Sequence, residues 1–165
     1  MTTTTRRETE IEAAKDVPTI TITREFDAPR ELVFRAWTDP ELVVQWLGPK
    51  ASRMRVTHWD CRTGGSWAYV DGRDGDPEYA AFYGSFHEVR EPARLVQTFT
   101  WAGAPDGVSL ETLTLEELPG GRTRSVAVSV VETFEIRDMI LSSGMSTGVI
   151  EGYEKLDELL GTERS

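Results

Sequence analysis

Residues Asp138–Leu160 read DMILSSGMSTGVIEGYEKLDELL. This stretch lacks proline, and Met145, Val149, Tyr153, Leu156 and Leu160 recur at intervals of four or three residues, the spacing of one helical face. At the usual rise per residue this predicts one amphipathic helix of roughly six turns. Gly144, Gly148 and Gly152 are spaced by four and fall on nearly one stripe of it. A glycine inside a helix costs about 1 kcal/mol relative to alanine, so the stripe implies either a close packing contact or room left for a ligand.

Upstream, from Ser52 to Val131, the punctuation is glycine turns at Gly64-Gly65, Asp71-Gly72, Asp74-Gly75, Asp106-Gly107 and Gly120-Gly121. Between them lie runs rich in Val, Thr, Tyr, Phe and Trp, which predict strands near Met54–Cys61, Ser66–Val70, Tyr79–Val89, Arg94–Trp101, Ser109–Glu117 and Thr123–Val131. An earlier strand is marked by the alternation of Thr19-Ile20-Thr21-Ile22-Thr23. Pro29 and then Asp39-Pro40 are helix-start signals. The first precedes Leu32, Val33, Ala36 and Trp37, the second Leu42, Val43 and Trp46, and Gly48-Pro49 ends the pair. A strand, two short helices, a strand meander and a long helix specify an α+β fold with helices on one face of an antiparallel sheet. Residues 1–17, Thr-rich and charged, read as a disordered N-terminal tail preceding a domain at 18–161.

With 165 residues the chain suits one domain. Acidic residues outnumber basic ones 28 to 18, a formal net charge of −10, which disfavours nucleic acid and anionic membrane surfaces as partners. Cys61 is the one cysteine, so no intrachain disulfide is expected. Arg6 and Arg7 precede no apolar run, so no secretory signal or transmembrane span is expected, and the protein is placed in the cytoplasm. Neither a metal nor a cofactor is indicated. Monomer and homodimer both remain open.

Strand alternation assigns rows of side chains to the face that the last helix covers. Leu95, Gln97, Phe99 and Trp101 make one row, Glu111, Leu113 and Leu115 a second, Val126, Val128 and Val130 a third, and Trp67 pairs with Tyr69. These rows either fill a core or wall a cavity. In a cavity, Trp67, Tyr69, Phe99, Trp101, Met145 and Val149 would bury an apolar or aromatic ligand, and Gln97 and Glu111 would orient it. A buried amide such as Gln97 needs partners or water, which a wet pocket supplies.

Signals for catalysis are thin, and no catalytic residue is assigned. His58 and His87 sit on predicted strands without the acidic neighbours of a metal site or triad. Cys61 beside Arg62 is either a lowered-pKa thiol or an inert small hydrophobe. Ser146 lies in a helix rather than a nucleophile elbow. At least two of Asp60, Glu88 and Glu111 would need to converge to support an enzyme.

Asp27-Ala-Pro-Arg-Glu-Leu-Val-Phe-Arg-Ala-Trp-Thr-Asp-Pro40 with Trp46-Leu-Gly-Pro49 resembles the bacterial family named for the activator of the heat-shock protein 90 ATPase. Gly64-Gly65, Gly84-Ser-Phe-His-Glu-Val89, Arg94-Leu95, Phe99 and the closing Gly144-Met145, Gly148, Leu156 and Leu159-Leu160 agree with it. The resemblance spans about residues 18–160 and implies the START-like, or SRPBCC, helix-grip fold, in which a curved seven-stranded antiparallel sheet surrounds a long C-terminal helix. Superfamily members bind lipids, hormones, polyketides or antibiotics between sheet and helix, and a minority act as aromatases or cyclases. The leading expectation is thus a non-enzymatic protein enclosing a small hydrophobic molecule, with a role in stress or resistance. A chaperone-associated interaction protein and a polyketide cyclase-like enzyme are the alternatives.

Overall fold

The computed structural model describes residues 8–164. Among them eight strands form one antiparallel sheet: β1 (Glu10–Ala13), β2 (Thr19–Phe26), β3 (Arg53–Trp59), β4 (Ser66–Arg73), β5 (Asp76–Arg90), β6 (Arg94–Trp101), β7 (Ser109–Leu118) and β8 (Arg122–Val130). Their order is β1-β2-β8-β7-β6-β5-β4-β3, so β2 returns beside β8 while the rest form a meander. The helices are α1 (Arg30–Thr38), α2 (Pro40–Trp46), α3 (Phe134–Ser142) and α4 (Met145–Arg164).

Local chemistry accounts for the two short helices. Asp39 caps α2 by accepting a hydrogen bond from Glu41 N at 2.9 Å, and Pro40 supplies the first helical position. The indole of Trp46 donates to Ala36 O at 2.9 Å and meets Trp37 edge-on at 4.7 Å, which ties α1 to α2. The core lies between these helices, α4 and the sheet, around Phe26, Phe34, Trp46, Phe86, Leu95, Leu115, Tyr153, Leu156 and Leu160.

Three expectations change. Residues 10–13, expected in the tail, form β1, which pairs with β2 from Glu10↔Thr23 to Ala13↔Ile20 and adds an eighth strand. Backbone pairing repays ordering that side chains there could not, since Ile11 is its one large apolar residue. Residues 1–7 of that segment lie outside the described residues. The C-terminal segment is two helices, not one. Thr133 starts α3 by accepting from Ile136 N at 3.1 Å, and Gly144, at φ +87°, turns the chain in the left-handed region before α4. The β8 row is also offset by one residue. Thr123 and Ser125 are buried, whereas Val126 and Val128 lie on the outer face, in register with Thr23 and Thr114 and with Thr21 and Thr112. Valine and threonine tile a half-exposed pleated surface well, so β-branching rather than apolarity put them there.

Arg137 of α3 is buried and donates from Nη1 to Ala14 O at 2.7 Å and to Thr19 O at 3.3 Å. Its guanidinium fastens α3 to the β1–β2 connection.

Candidate ligand-binding site

Ile20, Ser129, Glu111, Gln97 and Phe86 form one cross-strand row over β2, β8, β7, β6 and β5. Ile20 and Phe86 at its ends are buried, which fixes this row on the inner face. Beside it stand four rings in a closed circuit: Trp67 to Tyr69 at 5.3 Å, Tyr69 to Phe82 at 5.2 Å, Phe82 to Phe99 at 5.2 Å and Phe99 to Trp67 at 5.6 Å. The circuit depends on Gly84, which pairs with Trp67; a Cβ there would lie 2.7 Å from the indole Nε1 and 1.9 Å from Thr98 O. Without that side chain, rings from β4 and β6 meet across β5.

The opposite wall comes from the helices, where Ile140 and Leu141 of α3 and Met145 and Val149 of α4 are half-buried against the core. The backbone of α4 has its nearest neighbours in α2, α1 and α3 rather than in the strands. Gly152 explains this, since a Cβ there would stand 3.0 Å from Trp46 O and 3.3 Å from Gly48 O. Gly148 faces Pro49 Cδ at 3.4 Å. Gly148 and Gly152 therefore accommodate the turn after α2, not the sheet.

Polar groups on this face are incompletely satisfied. The Ser129 hydroxyl donates to Glu111 Oε2, while Oε1 has no partner and the carboxyl forms no ion pair with any described residue. The Gln97 amide and the phenol hydroxyls of Tyr69 and Tyr153 also lack hydrogen-bond partners among the described residues. Glu111 and Gln97 are half-buried, Tyr69 and Tyr153 are buried, and the indole Nε1 of Trp67 is both buried and unpartnered. Burial pushes the Glu111 carboxyl up from the ordinary carboxylate range, against the Ser129 hydrogen bond, which lowers it. Burial also raises the phenols, reinforced at Tyr69 by Asp71 and Glu111 and at Tyr153 by Glu111, with Arg24 opposing at Tyr153. Buried Arg24 is engaged elsewhere. Its Nη1 lies 3.3 Å from Asp157 Oδ1 of α4, its Nη2 bonds Asp157 Oδ2, and its guanidinium sits 4.9 Å over Phe26.

Trp67, Tyr69, Gln97, Phe99 and Glu111 thus lie on the inner side of the sheet, and Met145 and Val149 of α4 are half-buried against the same core, which makes this the candidate region. Trp101 does not join them. It is 51% exposed, and a Cβ on Gly103 would touch its ring at 2.4 Å, so the indole folds over the β6–β7 turn instead of pointing inward. Phe82, Ser129 and Tyr153 belong to the region and were missed. Tyr153 was legible only as a helix-face position, and Ser129 was hidden by the offset of the β8 row.

The other reactive groups lie apart. Asp60 is held by Arg62 at 3.0 Å, and Glu88 by Arg90 and Arg94 at 3.1 and 3.2 Å, so neither converges with Glu111. His58 is exposed and shares a 2.8 Å hydrogen bond with Ser66, and His87 is exposed as well. Burial and then Asp60 push the Cys61 thiol up to about 11, the reverse of an activated nucleophile. The hydroxyl of Ser146 contacts Met145 Sδ at 3.7 Å. Among the described residues no cluster of three metal-ligating side chains occurs, and no helix is long and apolar enough to cross a membrane. An open groove of about 270 Å³ is lined by Glu8, Glu10, Thr23, Arg24, Glu25 and Arg124, away from the aromatic wall.

The profile of the family described as "Activator of Hsp90 ATPase homolog 1-like protein" matches residues 27–161. The chain belongs to that family. This member is similar throughout to solved bacterial proteins. A Rhodobacter sphaeroides protein is 26% identical, with 93% of this chain and 98% of that one covered at a TM-score of 0.83. Protein Ms6760 from Mycobacterium smegmatis is 28% identical, with 94% and 99% covered at 0.82. An Arthrobacter aurescens protein is 28% identical, with 93% and 91% covered at 0.84. No curated protein matches the chain. The α+β helix-grip architecture is common to this chain and these neighbours.

Proposed function

We propose that the protein binds a small hydrophobic or aromatic molecule between the sheet and helices α3 and α4, as a binding protein rather than a catalyst. One observation carries this reading. Glu111 Oε1, the Gln97 amide and the phenols of Tyr69 and Tyr153 have no hydrogen-bond partners among the described residues, on a wall otherwise made of rings and aliphatic side chains. Buried polar groups are almost always satisfied, so a set left open on an apolar surface awaits water or a ligand. The ring circuit offers flat area for stacking, and Met145 offers an adaptable thioether. Cytoplasmic residence suits the lone Cys61.

Native mass spectrometry of purified protein is the direct test. A retained small molecule, lost on Phe99→Ala, supports the reading. A bare mass, with no change in tryptophan fluorescence on adding hydrophobic probes, opposes it.

The family's description supports a second reading, contact with a chaperone, for which Leu110 and Val130, exposed cross-strand partners on the outer face, are the candidate surface. That reading expects Leu110→Asp to abolish co-purification with Hsp90.

A further inference from the structure

Resting on the binding reading above, we propose that Glu111 meets its ligand as an uncharged carboxylic acid that donates a hydrogen bond from Oε1. The pocket thereby selects uncharged apolar molecules carrying an oxygen acceptor. Glu111 is in this view the specificity-determining residue of the site.

The geometry begins with what faces the carboxyl. From β8 the Ser129 hydroxyl donates to Oε2, so Oε2 is the acceptor oxygen and Oε1 is left for the proton. From β6 comes Gln97, its direct cross-strand partner, which is uncharged. From β4 and α4 come the phenols of Tyr69 and Tyr153, with Asp71 acting on the first and Arg24 on the second. Among the described residues no cation pairs with the carboxyl. Arg24 of β2 is taken by Asp157, and Lys155 of α4 donates to Pro49 O at 3.2 Å. An ionised Glu111 would be a charge with one hydroxyl donor and no counter-ion, among the costliest arrangements in a protein interior. Burial accordingly raises its pKa. The neutral acid resolves the conflict, and it leaves a donor aimed at no protein acceptor.

A ligand completing this site needs one oxygen with free lone pairs. The first lone pair takes the Glu111 proton, and the second can take an N–H of the Gln97 amide beside it. The rest of the molecule would lie against Phe99 and its ring neighbours. A carboxylate ligand would meet an acid environment with no cation. An ammonium ligand would need Glu111 ionised, and it is the competing outcome of the test.

Four probes of one shape separate these cases by calorimetry: 2-acetylnaphthalene, 2-ethylnaphthalene, 2-naphthoate and 2-naphthylmethylammonium. Wild type should bind the ketone roughly 5- to 10-fold more tightly than the hydrocarbon, the worth of one buried hydrogen bond. Glu111→Gln, which keeps a neutral donor, should preserve that preference, and Glu111→Leu should erase it. Thermal unfolding of both variants verifies folding, and the glutamine variant alone suffices if the leucine variant is unstable. As pH rises above the ordinary carboxylate range the wild-type preference should fade, while that of Glu111→Gln stays flat. Tighter binding of the ammonium probe, or a ketone preference that survives Glu111→Leu, overturns the proposal. Equal binding of ketone and hydrocarbon also overturns it and leaves the binding reading standing. Failure of all four probes overturns both.

Discussion

Alanine placed at the C-terminal glycines one at a time should produce opposite signs at different positions. In a helix interior Gly→Ala gains about 1 kcal/mol of propensity. At Gly161 nothing lies within 4 Å of the added Cβ, so most of that gain should appear. At Gly148 the nearest atom is Pro49 Cδ at 3.4 Å, an ordinary contact, and the change should be neutral to mildly stabilising. Gly152 differs because the Cβ would press on Trp46 O at 3.0 Å, Gly48 O at 3.3 Å and Gly48 N at 3.4 Å. Those atoms are backbone, held in a turn where Gly48 has φ +87°, so they yield poorly. Overpacking costs about 1–3 kcal/mol, which exceeds the propensity gain and leaves a net loss of about 1 kcal/mol. For a domain of this size that lowers Tm by about 2–4 °C. At Gly144, whose φ is +87°, alanine meets backbone strain and should cost about 1 kcal/mol. Urea or thermal unfolding of the four variants reads the series. Equal stabilisation by alanine at Gly152 and Gly161 would refute the close approach of α4 to the turn after α2.

Asp157→Asn leaves the buried Arg24 guanidinium without its carboxylate and should cost about 2 kcal/mol in urea unfolding, less than a fully buried pair because Asp157 is partly exposed; a loss below ~0.5 kcal/mol would mean that Arg24 is solvated. Because Glu111 is raised in the folded state, its neutral form contributes stability that is present below the unfolded carboxyl value and is lost as pH climbs through the folded one. Wild type should therefore lose stability relative to Glu111→Gln across that window, and parallel pH profiles would contradict the assignment. With its thiol near 11 in place of the reference 9.0, Cys61 should react with iodoacetamide about 100-fold more slowly at mildly alkaline pH than a free thiol. Trp101→Ala should leave probe binding within about 2-fold of wild type, since that indole rests on Gly103; a larger loss would return it to the site.

The sequence disclosed the elements that are periodic or punctuated. Asp39-Pro40 placed α2, the threonine-isoleucine alternation placed β2, and the glycine turns separated the meander strands to within a few residues, except Asp71-Gly72, which lies inside β4 and pairs with Met54 and Arg53 of β3. What it hid depends on neighbours remote in sequence. The inward row of β8 is Thr123, Ser125, Ala127 and Ser129 because Thr123 donates to Ala28 O at 2.7 Å and Ser125 to Arg24 O at 3.2 Å, and those partners lie 95 and 101 residues away. Apolarity pointed to the valines, and a one-residue offset reverses every side chain of a strand. The spacing of Leu141, Met145 and Val149 is helical straight through Gly144, so only its left-handed φ reveals the break. The site was legible as rows but not as a surface. Trp101 has the parity of Phe99, yet it ends its strand and finds a glycine to lie on.

Arg137 joins the beginning of the chain to its end. Its guanidinium grips the carbonyls of Ala14 and Thr19, so removing the first strand would strip α3 of its anchor and loosen one wall of the proposed pocket from a distance of well over a hundred residues in sequence. Expression designs that trim the N-terminus back to Thr19, which keeps all of the family-matched residues 27–161, would preserve every side chain of the aromatic wall and still deliver a protein with an altered binding face. Affinity tags are better carried at a point that leaves β1 and Ala14 intact.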